Sequence, residues 1–303
     1  MMTGVIDLEE VPRDYLIGRN VGLIGVGKMG LGIGVSLIRN GAQVICCGNR
    51  SRAGIEELLS LGAAEVCTPK RVAERCNILV LSLPDSKAVD SVCFGSDGIA
   101  ASNHEKLLVI DTTTGNPAQT LNIVTSLKSC GVDYVDAPVT RGPQQARQGK
   151  LNAVLGTPER LLGTSCSVLK AFCDFIIHVG DVSQAQKVKL VNNALSMGVV
   201  ALTADTISLS QEIGVDVRHI AQLIAQGGVN NALSQTFLKW VCEGGPEPLE
   251  FSINNALKDL TYSLNLVPST GAALKMITAA QQAFADKARA GYGENNLPAL
   301  VRR

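Results

Sequence analysis

Aromatic residues are scarce, only 4% of this 303-residue chain, with a single Trp. Neither sign of charge dominates: 27 Lys and Arg face 27 Asp and Glu. That balance excludes a general nucleic-acid or anionic-membrane surface. No uncharged apolar run approaches the roughly 18 residues of a membrane span. The nine cysteines are odd in number and form no CxxC and no ligand-like Cys/His spacing. A disulfide scaffold and a metal site are therefore not expected, and a reduced, cytoplasmic protein with mostly buried thiols fits. The three histidines, His104, His178 and His219, sit in unrelated places, which excludes a Ser-His-Asp set. A basic, apolar leader is also missing. Residues 1–19 are acidic, with Asp7, Glu9, Glu10 and Asp14, and read as a short N-terminal extension.

What is abundant is apolar aliphatic sequence, 46% hydrophobic overall, and glycine, 30 residues. Short apolar runs at 20–26, 43–47, 77–82, 107–111, 132–136, 152–155 and 174–179 read as buried strands. Helical stretches at 28–40, 51–61, 117–130 and 158–172 alternate with them. That alternation indicates parallel βαβ units in one open, doubly wound sheet of these seven or so strands. After residue 182 no strand pattern remains. The stretches 183–213, 216–226, 230–241, 252–266 and 270–289 all read as helices, parted by Gly, Pro and Asn clusters. The expected architecture is an α/β domain over 20–182 and an all-α domain over 183–303, joined by a long helix.

That long helix carries the most informative polar spacing. Lys189, Asn192, Asn193 and Ser196 fall at i, i+3, i+4 and i+7 in apolar company. The spacing puts all four on one helix face. Buried lysines and asparagines need partners, and a bound polar ligand is one kind of partner.

Gly25-Val26-Gly27-Lys28-Met29-Gly30 is a GxGxxG that follows a strand and opens a helix in the first βαβ unit. In that context it reads as a Rossmann dinucleotide fingerprint, with the pyrophosphate at the helix N-terminus. The acidic residue that would take a ribose 2′-OH is missing after the second strand. Gly48-Asn49-Arg50-Ser51-Arg52 stands there instead. An arginine at this place suits a 2′-phosphate, so NADP is expected over NAD. Asp111-Thr-Thr-Thr114 and Asp136-Ala-Pro-Val-Thr140-Arg141-Gly142 each follow the carboxyl end of a strand, where such sheets bind ligands. Arg141, the one charge in its loop after Asp136, can fork onto a carboxylate or sulfonate.

Together these motifs resemble the β-hydroxyacid dehydrogenase family, which includes 3-hydroxyisobutyrate dehydrogenase. The resemblance covers about residues 20–300: the GxGxMG, the Asp111-to-Pro117 segment, the Asp136-to-Gly142 loop, Lys189-Leu-Val-Asn192-Asn193 and Lys258-Asp259-Leu260. It implies that Lys189 is the catalytic acid/base, with Asn193 orienting the substrate. It implies that Leu83, Pro84, Thr114 and Lys258 touch the cofactor. It implies that Thr140, Arg141 and Gly142 hold the substrate's acid group, largely through backbone N–H groups. The chain departs from the family in two places: in that loop Arg141 replaces the first glycine and Thr140 the serine, and the 2′-OH loop is one residue longer, with Gly48 where Asp or Asn usually falls. Sulfolactaldehyde reductases within the family share such an arginine together with Asn192 and Ser196.

The implied reaction is hydride exchange between nicotinamide and a short β-hydroxy acid or its semialdehyde. Lys189 would move the proton, and desolvation in an apolar cleft suits a lysine to that task. Three other readings stand beside it: a sulfonate-specific reductase, a non-catalytic dinucleotide-binding protein, and an imine reductase. The last two are expected to lack the lysine. The expected partners are a small anionic hydroxy acid or semialdehyde and a second copy of the chain, in a dimer or tetramer. The long helix is apolar on more than one face, at Val199, Val200, Ile207 and Leu209, and so needs more than one neighbour.

Overall fold

The computed structural model describes residues 3–48, 52–102, 104, 106–268 and 271–301. In chain order the first strands and helices are β1 (Gly4–Val5), β2 (Asn20–Ile24), α1 (Lys28–Arg39), β3 (Gln43–Cys47), α2 (Ala53–Ser60), β4 (Ala64–Val66) and α3 (Pro69–Ala73). There follow β5 (Ile78–Leu81), α4 (Ser86–Phe94), β6 (Leu108–Asp111), α5 (Pro117–Ser129), β7 (Asp133–Asp136), β8 (Val139–Thr140) and α6 (Pro143–Gln148). Then come β9 (Leu151–Leu155), α7 (Glu159–Leu169), β10 (Cys173–His178) and α8 (Gln184–Glu212). After it come α9 (Val217–Gln226), α10 (Ala232–Glu243), α11 (Ile253–Leu264) and α12 (Lys275–Lys287), followed by short helical turns at Ala288–Tyr292 and Leu297–Val301. The chain divides into two compact units, Met1–Lys189 and Leu190–Arg303.

The first unit holds two sheets where the strand pattern predicts one. Six strands form an all-parallel sheet in the order β4-β3-β2-β5-β6-β7. The order reverses between β2 and β5, the switch point at which such sheets bind ligands. β9 and β10 leave this ladder and join a four-stranded mixed sheet, β1-β10-β9-β8. Among the described residues an isolated bridge, Asp136 to Gly156, links the two ladders. The reason is local: after β7 the chain turns through Ala137-Pro138 into β8, and β9 pairs with β8 antiparallel. Periodicity identifies a strand but not its partner.

Central strands are buried on both faces, as parallel strands between helices require: Val80, Leu81, Val109 and Ile110 are fully covered. Two hydrophobic clusters flank the sheet, one around Leu23, Leu37 and Phe172, the other around Leu79, Val109 and Ile123. The N-terminal extension is built into this unit. β1 pairs antiparallel with β10, Leu16 is buried, and Lys170 Nζ donates to the carbonyls of Leu8 and Val11. Six of the nine cysteines are buried.

The second unit is helical. One cluster gathers Met197, Val200, Leu260, Phe284 and Leu297, and a smaller one Ile207, Phe237 and Leu238. By length and composition α8 could cross a membrane, but half of its apolar window is buried, as in a core helix.

Candidate active site

The glycines of the fingerprint divide by geometry. Gly25 has φ +96°, and a Cβ there would lie 2.2 Å from Ser82 O. A Cβ on Gly30 would lie 1.8 Å from Gly25 O, so this position serves helix–strand packing. A Cβ on Gly27 would meet nothing within 4 Å. That open cradle lies at the N-cap of α1, whose first turn has no side-chain cap and no acidic residue. A dinucleotide pyrophosphate fits there, approached by backbone N–H groups and the helix dipole. Val26 and Met29 are half-buried and Lys28 is exposed.

The expected 2′-phosphate residues Asn49, Arg50 and Ser51 lie outside the described residues. Neighbouring Arg52 is engaged: its two guanidinium nitrogens meet the Glu65 carboxylate at 2.6 and 3.1 Å. Glu65 sits on β4, a short edge strand that apolar periodicity does not reveal, and a Cβ on Gly48 would lie 2.9 Å from its Oε1. It therefore borders the end of β3, where the ribose is read in such folds.

The loops after β5 and β6 are knitted together. Leu83 N–H donates to Thr113 Oγ1 at 3.0 Å, and Asn116 N–H donates to Ser86 Oγ at 2.7 Å. Thr113 N–H donates in turn to Asp111 Oδ1 at 2.9 Å, and the buried Tyr134 hydroxyl donates to Asp111 Oδ2. Burial and the adjacent Asp111 raise the Tyr134 phenol well above its usual range, so it stays a donor. Leu83 and Thr114 are half-buried and Pro84 is exposed.

The first turn of α8 is tied to the same sheet edge. Ser183 and Gln186 N–H groups donate to the Asp136 carboxylate at 2.8 and 3.0 Å. The Gln186 side chain reaches the loop after β6, with Nε2 donating to Thr113 O and Oε1 accepting from Gly115 N–H, each at 2.8 Å. Asp136 is wholly buried, which pushes its carboxyl up from the usual 3.8 to about 7. Lys189, one turn beyond Gln186, is buried at 6% exposure.

The four-residue polar face of α8 is not uniform. Lys189 and Asn193 are buried, whereas Asn192 is exposed and Ser196 half-buried, its hydroxyl donating to Asn192 O. In the second unit Asn193 Nδ2 donates to Asp259 Oδ2 at 2.6 Å. Lys258 Nζ lies 3.1 Å from Asp259 Oδ1, an ion pair without hydrogen-bond geometry, and 5.4 Å from the Tyr262 ring centre. Asp259 thus anchors Asn193, a role that the Lys-Asp-Leu motif alone does not signal.

The Thr140–Gly142 loop opens α6, and Gly142 N–H donates to Gln145 Oε1 at 3.2 Å. Arg141 is held within the first unit: its Nη1 lies 2.9 and 3.0 Å from the two Asp174 carboxylate oxygens and 2.5 Å from Lys150 O. Among the described residues no three His, Cys, Asp or Glu side chains form a metal-holding group.

Two family models cover the chain. Residues 20–180 match the NAD binding domain of 6-phosphogluconate dehydrogenase. Residues 183–303 match the NAD-binding domain of NADP-dependent 3-hydroxyisobutyrate dehydrogenase. The chain is 26% identical over 287 residues to the L-threonate dehydrogenase of Cupriavidus necator, spanning 94% of this chain and 96% of that one. It is 24% identical over 282 residues to the 3-sulfolactaldehyde reductase of Escherichia coli, spanning 93% and 94%. The structure of a 3-hydroxyisobutyrate dehydrogenase from Salmonella typhimurium superposes with a TM-score of 0.84 over 94% of this chain and 99% of that one, at 22% identity, a likeness of fold. With an open glycine turn at the switch point of the sheet and two family models that together cover residues 20–180 and 183–303, this chain belongs to the β-hydroxyacid dehydrogenase family, NAD(P)-dependent oxidoreductases of the CH–OH group.

Proposed function

We propose that this protein exchanges a hydride between a nicotinamide cofactor and a short β-hydroxy acid or its semialdehyde, with Lys189 as the general acid/base. The observation that carries this reading is the pair of buried polar groups on successive turns of α8: Lys189 and Asn193, the latter fixed by Asp259. A buried lysine is worth keeping where it moves a proton. The nicotinamide, when bound, supplies or takes the hydride. In reduction Lys189 Nζ donates its proton to the carbonyl oxygen as that oxygen becomes an alkoxide. In oxidation it takes the proton from the substrate hydroxyl. Asn193 orients that oxygen, and Asp259 holds its amide by accepting from Nδ2. Asn192 and Ser196 lie alongside as further substrate contacts, and the Thr140–Gly142 loop takes the acid group. Gly25–Gly30, Leu83, Pro84, Thr114 and Lys258 hold the dinucleotide.

NADP is proposed over NAD. The support is Arg50, which follows the second strand of the βαβ unit in the sequence, and the NADP dependence in the name of the second family model. A sulfonate substrate is the second reading, favoured by Asn192 and Ser196 together with the sulfolactaldehyde reductase relative; it would require Arg141 to leave Asp174. We place the protein in the cytoplasm as a homodimer. One face of α8 leaves Val191, Leu195, Leu202 and Leu209 each more than 60% exposed, a stripe that a second copy would cover.

The test is a rate assay with NADPH and NADH against succinic, methylmalonate and tartronate semialdehydes and sulfolactaldehyde. Turnover of a carboxylate aldehyde supports the main reading; preference for the sulfonate moves it to the second. Lys189→Ala is expected to lower turnover by at least about 100-fold while dinucleotide binding persists. Loss of dinucleotide binding in that variant would make the lysine structural.

A further inference from the structure

The left-handed turn at Arg141 and an irregularity in β10 are two halves of one device. Arg141 has φ +75°, where Cβ crowds the backbone and glycine or asparagine is the usual occupant. An arginine does not choose that conformation; something outside the residue holds it. β10 supplies the hold. Cys173 stands opposite Leu151 and Phe175 opposite Asn152, so Asp174 is the extra residue of a β-bulge. A bulge re-aims a side chain. Here the Asp174 carboxylate meets Arg141 Nη1 at 2.9 and 3.0 Å, and the same nitrogen donates to Lys150 O at 2.5 Å. Lys150 directly precedes β9, on which Asn152 stands opposite Thr140 of β8. The guanidinium therefore ties β8, β9 and β10 together where the Thr140–Gly142 loop leaves the sheet.

We infer that Arg141 is a positioning residue: paired with Asp174 it latches the Thr140–Gly142 loop in its left-handed shape, and the substrate's acid group is read by other atoms of that loop. The inference rests on the reading of this loop as acid-binding. An exposed ion pair by itself stabilises little. This one matters because it offsets a strained backbone and sets the direction of the neighbouring N–H groups. Because Asp174 neutralises the guanidinium, selection among acids falls to loop geometry rather than to a free positive charge. Glycine at this position needs no latch, so Arg141→Gly should make Asp174 dispensable.

The experiment compares four full-length proteins: the wild type, Asp174→Ala, Arg141→Gly, and the double variant. It measures KM and kcat for whichever aldehyde is turned over best, and amide hydrogen exchange across residues 139–149. Asp174→Ala alone is expected to raise KM about five-fold with kcat little changed, and to speed exchange in the loop. In the Arg141→Gly background the same Asp174→Ala change should add less than about two-fold to KM and nothing to exchange. An equal effect of Asp174→Ala in both backgrounds would overturn the latch. So would a lower KM in Asp174→Ala, which would mark the freed guanidinium as a substrate ligand. Absence of turnover by the wild type would count against the proposed reaction only. The exchange data would still decide the latch, since unaltered loop exchange in Asp174→Ala overturns it.

Discussion

The side-chain amide of Gln186 donates to the carbonyl of Thr113 at 2.8 Å, fastening the first turn of α8 to the loop that carries Thr114. Gln186 is fully buried, and its oxygen also satisfies Gly115 N–H. Gln186→Leu would leave two buried backbone groups unpaired, each costing about 1–3 kcal/mol. A loss of about 2–6 kcal/mol in urea unfolding is expected, with a fall in kcat because Lys189, the proposed acid/base, lies one turn away. Unchanged stability would show that the amide is idle.

Gly27 and Gly30 should fail differently. Gly30→Ala drives a methyl into Gly25 O, and is expected to lower the melting temperature by several degrees or prevent folding. Gly27→Ala meets no protein atom, so its melting temperature should hold while dinucleotide affinity drops. Isothermal titration with NADPH and NADH checks the second half. An unaltered affinity would remove Gly27 from the phosphate cradle.

Asp136 gives a pH dependence with a definite sign. Its carboxyl is raised from 3.8 to about 7 by burial, with repulsion from Asp111, against N–H groups from Ser183 and Gln186 that pull it down. The native state therefore binds this proton more tightly than the unfolded chain does. Its contribution to stability is full below about pH 4 and is lost as pH rises through about 7. Asp136→Asn loses an acceptor for α8 at every pH but removes this slope. The melting temperature of the wild type minus that of the variant should fall from pH 4 to pH 7. A flat or rising difference would contradict the assignment.

Leu202 lies on the exposed stripe of α8 at 69% exposure. If a second copy covers that stripe, Leu202→Lys should convert the dimer to a monomer in sedimentation velocity, with the melting temperature lowered by the lost association. A wild type that sediments as a monomer would dispose of the proposed dimer.

Much of the fold is legible in local sequence. β5 and β6 read as continuous apolar runs because both faces are buried, and α8 reads as a helix over nearly its whole length because 29 residues pass without proline. The short elements are not legible. β4 is an edge strand of one exposed and two half-buried residues, and α3 and α6 have five and six residues, too few for a period to register. The site divides the same way. The fingerprint and the Lys189–Asn193 spacing are local patterns. Glu65, Gln186, Asp259 and Asp174 act through partners far along the chain, and no spacing marks them.

By itself the sequence determined the order of most of the longer strands and helices, the nucleotide fingerprint and the helix that carries Lys189, because each depends on neighbours within a few turns. Only the tertiary structure decided that β9 and β10 leave the main sheet. It also decided that Gln186 grips a loop 73 residues away and that Arg141 closes on Asp174, 33 residues on. Such partners are chosen by how the strands stack and where a bulge turns a side chain, and that choice is made by packing rather than by any local period.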